Sequence, residues 1–150
     1  MHTTQSCSSA AWRAVAILSV LTAVGCQQQP TELRVPVAPV AGAVVFDGQP
    51  TPGALVVFHP VQGTQSQTPP ARGTVRDDGT FDLTTYEAND GAPPGEYKVT
   101  IEWRRLINDN GDVRTGPNVM PERYSRPQTT DLVVRVAEGP NRLSPLQVQR

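Results

Sequence analysis

The sequence predicts an all-β protein, an antiparallel β-sandwich of about seven short strands. Three observations predict it. Glu96–Arg104 alternates without a break, with Tyr97, Val99, Ile101 and Trp103 on one face and Glu96, Lys98, Thr100, Glu102 and Arg104 on the other. A side-chain period of two is what a half-buried strand requires. Turn dipeptides recur between apolar runs, with Asp-Gly at 47–48 and 78–79 and Pro-Gly at 94–95. The 15 prolines and 12 glycines of the 150-residue chain follow no fixed period, and the domain shows no amphipathic helical stripe, so they read as punctuation between strands.

The N-terminus is expected to be an export signal. Residues 1–13 are polar and contain Arg13, and Ala14–Gly25 is apolar. Twelve helical residues span about 18 Å, against a hydrocarbon core of about 30 Å, so the run fits a signal-peptide core rather than a membrane span. Leu21-Thr22-Ala23-Val24-Gly25-Cys26 resembles the lipobox of bacterial lipoproteins. The resemblance implies cleavage before Cys26, diacylglycerol on its thiol, and a mature chain held on a membrane by lipid. It points to the outer membrane, facing the periplasm or the cell surface. An unlipidated Cys26, or a Cys7–Cys26 disulfide, is the alternative. The expected organisation is a signal peptide over 1–25, a lipidated cysteine and Pro-rich tether over 26–39, and a sandwich over 40–150. Val35 and Val37 leave open a second reading, in which the tether already pairs at a sheet edge.

Strands are expected at Val40–Phe46, turning at Asp47-Gly48, and at Ala54–His59. The Gln49–Gly53 segment, with Pro50 and Pro52, has no place in a central strand. Val61–Pro70 reads as a polar, mobile loop. Ala71–Arg76 and Thr80–Thr84 form a hairpin about Asp78-Gly79, with Val75, Phe81 and Leu83 inward. Pro94-Gly95 is expected as a type II turn with Gly95 at positive φ. Asp131–Ala137 places Leu132, Val134 and Val136 inward, and Asn141–Gln149 does the same with Leu146 and Val148.

Motifs from Val40 onward together carry a family resemblance. V-A-G-A-V-V-F-D-G-Q-P-T-P-G-A-L-V-V-F, G-T-V-R-D-D-G-T-F-D-L and P-P-G-E-Y-K-V, in that order, resemble the carboxypeptidase regulatory-like domain. P-E-R-Y-S and T-T-D-L-V-V-R-V-A-E-G-P-N are similar to segments of small bacterial lipoproteins that carry it. The resemblance implies a Greek-key, transthyretin-like sandwich within the immunoglobulin-like group, and a non-catalytic accessory role.

Chemistry is sparse. His59 is the sole histidine once His2 leaves with the signal, and no cysteine remains beyond Cys26. Nucleophilic catalysis and a zinc site both lack their groups. The hydroxyisourate hydrolases of the transthyretin-like group use several histidines and end in Y-R-G-S, whereas this chain ends P-L-Q-V-Q-R. Without Arg13 the chain has 12 basic and 14 acidic side chains, a net charge of −2, which gives no footprint for nucleic acid. No cofactor is implied.

The 105–130 connection is read as a long functional or disordered loop. Within it Asn108–Asp112 is an ordinary turn extending a hairpin, or one side of a calcium site through Asp109, Asn110 and Asp112. Asp77 and Asp78 are the other calcium candidates. Pro121–Tyr124 reads as one helical turn with Met120 and Tyr124 packed together. Arg104, Arg105, Arg114, Arg123 and Arg126 flank or occupy the loop. They form an anion site if it folds over the sheet, or a solvated mixed-charge surface with Glu102, Asp109, Asp112 and Glu122. Trp103 is a core residue or a stacking platform for a sugar. Tyr97 resembles a tyrosine-corner residue. The expected function is a membrane-anchored envelope lipoprotein with a structural or protein-binding sandwich and no enzymatic activity. The alternative is a glycan- or calcium-dependent adhesion module using the 105–130 loop. The partner is an envelope protein or glycan.

Overall fold

The structure is a computed structural model that describes residues 34–61 and 68–150, all within the unit Leu33–Arg150. The expected export signal, Cys26 and residues 27–33 of the tether lie outside the described residues, as do residues 62–67 of the expected Val61–Pro70 loop.

The architecture is all-β, two sheets packed face to face with a separate hairpin. Among the described residues there are eleven strand segments: β1 Val40–Phe46, β2 Gln49–Pro50, β3 Leu55–Pro60, β4 Ala71–Thr74, β5 Thr80–Asp82, β6 Gly95–Glu102, β7 Arg104–Asp109, β8 Asp112–Asn118, β9 Val133–Val136, β10 Asn141–Arg142 and β11 Leu146–Val148. One sheet holds β1 at its centre with β2, β5, β10 and β11 paired to it. The second runs β4-β3-β6-β9 and is antiparallel throughout. The third element is the hairpin β7–β8.

The period-two pattern of β6 does what it requires. Tyr97, Val99 and Ile101 are buried and meet Val56 and Phe58 of β3, in register Val56↔Ile101 and Phe58↔Val99. Phe58 then bridges the sheets, its ring centroid 5.6 Å from Tyr97 and 6.4 Å from Phe81 of β5. Val44, Leu83, Val136 and Val148 complete a core closed to water. Each such side chain contributes about 1.5–3 kcal/mol on burial. The Tyr97 hydroxyl donates to the Pro93 carbonyl at 2.6 Å, the corner role expected of it, and burial pushes its pKa up to about 12.

Several expectations are corrected. β6 stops at Glu102, because Trp103 turns the chain out of the sheet. Thr100, on the outward row, is buried, since the 3-10 turn Glu122–Ser125 packs on β6. Gly95 is the first residue of β6, paired with Val136; the left-handed glycine of this segment is Gly91 (φ 98°). The Asp78-Gly79 turn forms, with Gly79 at φ 84° and Thr80 N–H on the Asp78 carboxylate at 2.9 Å, and its arms meet again at Arg72↔Thr84. Between those points they part, β4 joining β3 and β5 joining β1. The hairpin thus ties the two sheets together instead of lying within one.

At the C-terminus, Leu146 and Val148 point inward as expected, but Pro145 splits the segment and both β10 and β11 run parallel to β1. The chain crosses from β9 in the other sheet and arrives in the direction of β1. The sandwich also begins before Val40. Ala38 is buried and pairs with Ala92, Val35 N–H donates to the Tyr86 hydroxyl at 3.2 Å, and Arg34 lies over the Tyr86 ring and pairs with Glu87 at 2.9 Å. The pairing residue is Ala38, not Val35 or Val37. The loop that receives this segment is held by Asp90. Burial pushes its carboxyl up, but the N–H groups of Thr85, Glu87 and Tyr86 outweigh that and hold its pKa below the ordinary value.

Gly91 is required twice over. Its φ is left-handed, and a Cβ there would sit 1.8 Å from the Ala38 carbonyl oxygen. Gly111 has a similar φ of 95° with no atom within 4 Å of that position. Gly111→Ala should therefore cost only the left-handed backbone penalty, about 1–2 kcal/mol. Gly91→Ala should cost clearly more, at least about 3 kcal/mol, because backbone must move. Denaturant unfolding of the two variants checks the order.

Candidate functional site

The 105–130 connection is structured, and this changes where a site is sought. Its first half is the hairpin β7–β8, closed by a two-residue turn with Asn110 at φ 54° and Gly111 at φ 95°. Two positive φ angles make this a type I′ turn, the usual home of Asn-Gly. The second half is the Glu122–Ser125 turn, with Met120 and Tyr124 both in the core, as expected of them.

The hairpin stands away from the sandwich. Every residue of β7 is exposed, and in β8 only Gly116 is buried. Leu106 is 73 % exposed, Val113 62 % and Ile107 43 %. Leu106 and Ile107 are successive residues, so their side chains lie on opposite faces, and both faces carry an aliphatic group in water. Gly116 permits the close approach of the strands at Ile107, since a Cβ there would lie 2.8 Å from Ile107 Cδ1 and 2.9 Å from the Arg105 carbonyl oxygen. A register shift between Arg104 and Leu106 bends the arm near its base.

The base is fixed by Trp103 and Asn118. The Asn118 amide oxygen accepts from Trp103 N–H at 2.8 Å and Met120 N–H at 3.2 Å, and its NH₂ donates to Ser125 Oγ at 2.9 Å. Trp103 is only 8 % exposed. Its indole N–H donates to the Pro52 carbonyl at 2.8 Å, its ring meets Phe46 edge-on at 6.4 Å, and the Arg105 guanidinium lies 4.3 Å from the ring centroid. Beside it, Gln49, Pro50, Pro52, Gly53, Asp77, Arg104, Arg105 and Leu106 line an open recess of about 940 Å³.

Of the sequence-derived candidates, Trp103, Arg104 and Arg105 meet at this recess. Arg123 and Arg126 do not line it. Arg123 lies over the Tyr124 ring and bonds the Tyr124 hydroxyl and the Gln149 carbonyl. Arg126 pairs with Glu122 at 2.5 Å, Arg104 with Glu102 at 3.2 Å, and Arg114 with Asp109. The five arginines form separate local contacts and no single cluster. Arg105 covers the Trp103 face that a sugar ring would need.

Asp109 and Asp112 face each other across the turn, and Asp109 engages Arg114; Gly111 N–H donates to Asn108 Oδ1 at 2.9 Å. Turn chemistry accounts for each of them. Asp78 holds Thr80 through both its hydroxyl and its N–H, which lowers the Asp78 pKa. Among the described residues no group of three or more His, Cys, Asp or Glu side chains is placed to hold a metal ion, and no helix is long and apolar enough to cross a membrane. Sequence reasoning missed Asn118, whose only sequence signal is its place after Gly116-Pro117, where a polar side chain stands in for a broken ladder.

No family model and no curated protein matches the chain. Among solved structures it is similar to a Pseudomonas aeruginosa protein provisionally described as carbohydrate-binding, at 12 % identity over 80 % of this chain and 92 % of that one, with a TM-score of 0.41. It is also similar to a 9R-lipoxygenase from Cyanothece, at 16 % identity over 75 % of this chain and 16 % of that one, with a TM-score of 0.39.

His59 sits at the end of β3 with Nε2 2.9 Å from Thr100 Oγ1, and burial lowers its pKa. The folded state favours the neutral ring. Its contribution to stability is complete above the unfolded value of about 6.5 and is lost as pH falls through the lowered folded value. Thermal unfolding should show stability declining as pH falls below about 6.5, and His59→Gln should flatten that limb.

Proposed function

We propose that this chain is an exported bacterial lipoprotein, anchored through Cys26, whose carboxypeptidase regulatory-like sandwich is a non-catalytic module that binds a protein partner on the β7–β8 hairpin. The observation that carries the binding role is an arm exposed on both faces with Leu106, Ile107 and Val113 in water. An isolated two-stranded hairpin is marginal at best, and exposed apolar groups on such an element mark an interaction surface. The aliphatic character of the arm favours a protein over a glycan, and Arg105 lies over the Trp103 ring, the other surface considered for sugar stacking. The non-catalytic reading is supported by the single histidine of the described residues, His59, whose ring is engaged with Thr100.

The anchor is supported by the Leu21–Cys26 lipobox-like segment after an apolar run of signal-peptide length. Mass spectrometry of the protein extracted from its native membrane should find an N-terminus at Cys26 carrying two or three acyl chains. An unmodified cysteine, or an N-terminus elsewhere, would remove the anchor from the proposal.

The binding role has its own test. A photo-crosslinking amino acid at position 107 should give discrete protein adducts in the native envelope. Adding Leu106→Asp and Val113→Asp should abolish them while leaving the unfolding temperature almost unchanged, because both side chains are exposed. Adducts that persist in the double variant would show that the hairpin is not the contact.

A further inference from the structure

We propose that the outer face of the β1-centred sheet binds a carboxylate-bearing oligosaccharide, a site separate from the hairpin. The register builds it. Ala41 on β1 pairs with Asp82 of β5 on one side and Arg142 of β10 on the other. Cross-strand partners point to the same face, so the row reads Arg142, Ala41, Asp82. Ala41 and Ala43 alternate with Val40 and Val44, which are buried, and they leave a low floor where larger outward side chains would stand. Gly42 between them is fixed by the core, since a Cβ there would lie 2.7 Å from the Phe81 ring.

Around this floor lie three open recesses of about 720, 360 and 340 Å³ that share Asp82 in their walls. Their charged lining is Arg72, Arg76 and Arg142 against Asp82 alone. Arg76 pairs with Asp82. Arg72 and Arg142 have no ion pair or side-chain hydrogen bond among the described residues, and each presents a guanidinium fork suited to a carboxylate. Asn89, held in place by its backbone N–H on Thr84 Oγ1 at 3.0 Å, lines two of the recesses with its amide group uncommitted among the described residues.

The spacing selects an extended ligand. Arg142 and Asp82 stand two strands apart, about 10 Å, and Arg72 lies on β4 beyond β5, so the two free arginines bracket Asp82 and an extended ligand with anionic groups at intervals meets each at a separate point. Asp82, paired with Arg76, and the Asn89 amide place hydrogen-bonding groups for sugar hydroxyls between the two free arginines. Hydroxyls between carboxylates are the pattern of an acidic oligosaccharide.

The test is calorimetric titration of the full chain in detergent with tetragalacturonate and with its fully methyl-esterified form. The acid should bind, and the ester should bind at least about tenfold more weakly. Arg72→Ala with Arg142→Ala should weaken binding of the acid by at least about tenfold at an unchanged unfolding temperature, and Arg123→Ala should leave it as it was. Absence of binding to the wild-type chain, equal binding of the ester, or undiminished binding by the double variant would each overturn the proposal.

Discussion

Trp103 belongs to two structures at once, and the arrangement of this protein depends on that. Its ring continues the inward row of Tyr97, Val99 and Ile101 and closes the core against Phe46. Its backbone opens the hairpin, bonded through N–H to Asn118 and through C=O to Val119. The indole N–H reaches Pro52 in the turn between β2 and β3. A buried indole needs a partner for its one donor, so the site that satisfies it also fixes the angle at which β7 leaves. The hairpin can project with both faces in water because its root is part of the hydrophobic core.

The fold was legible wherever one face of a strand is buried and the other is not. β6 declared itself through Tyr97, Val99 and Ile101, and β11 through Leu146 and Val148. β8 was not legible, because Asp112–Asn118 buries only Gly116. A strand in water on both faces has no reason to alternate, and Gly116 and Pro117 read as breakers. Only Asn110-Gly111 pointed to the hairpin. The parallel pairing of β10 and β11 lay beyond the pattern for a different reason: periodicity reports which face a residue takes, not the direction of its neighbour. Gly91 and Gly95 show the same limit. Both follow turn-forming residues, and only the contact with Ala38, more than 50 positions away, decides which needs the left-handed backbone.

The candidate site was legible in part. Trp103, Arg104 and Arg105 are adjacent in the chain and stay together at the root recess. Arg123 and Arg126, close in sequence to the same loop, are drawn to Tyr124 and Glu122 by the short 3-10 turn. The row Arg142, Ala41, Asp82 could not be read from the chain at all. It joins residues about 40 and 100 positions apart through a register that depends on the unexpected parallel strand. What the sequence does carry is the small-residue run V-A-G-A-V of β1, which reads as an ordinary strand until its outward neighbours are known.

Magnitudes bear on how the hairpin would engage the proposed partner. Covering Leu106, Ile107 and Val113 contributes at most about 1.5–3 kcal/mol each, and less for Ile107, which is already more than half covered. Association costs on the order of 4–15 kcal/mol before any affinity appears. Side-chain burial alone therefore leaves little surplus. The remaining resource is the backbone. β7 and β8 pair only with each other, so alternate N–H and C=O groups along each outer edge face away from the hairpin. On β8, Pro117 removes one donor; β7 has no proline between Arg104 and Asp109. An extended segment added along β7 gains main-chain hydrogen bonds together with the aliphatic contacts. For the proposed binding role, edge addition at β7 is the mode in which both terms act, and it calls for a strand rather than a helix as the partner's contact element.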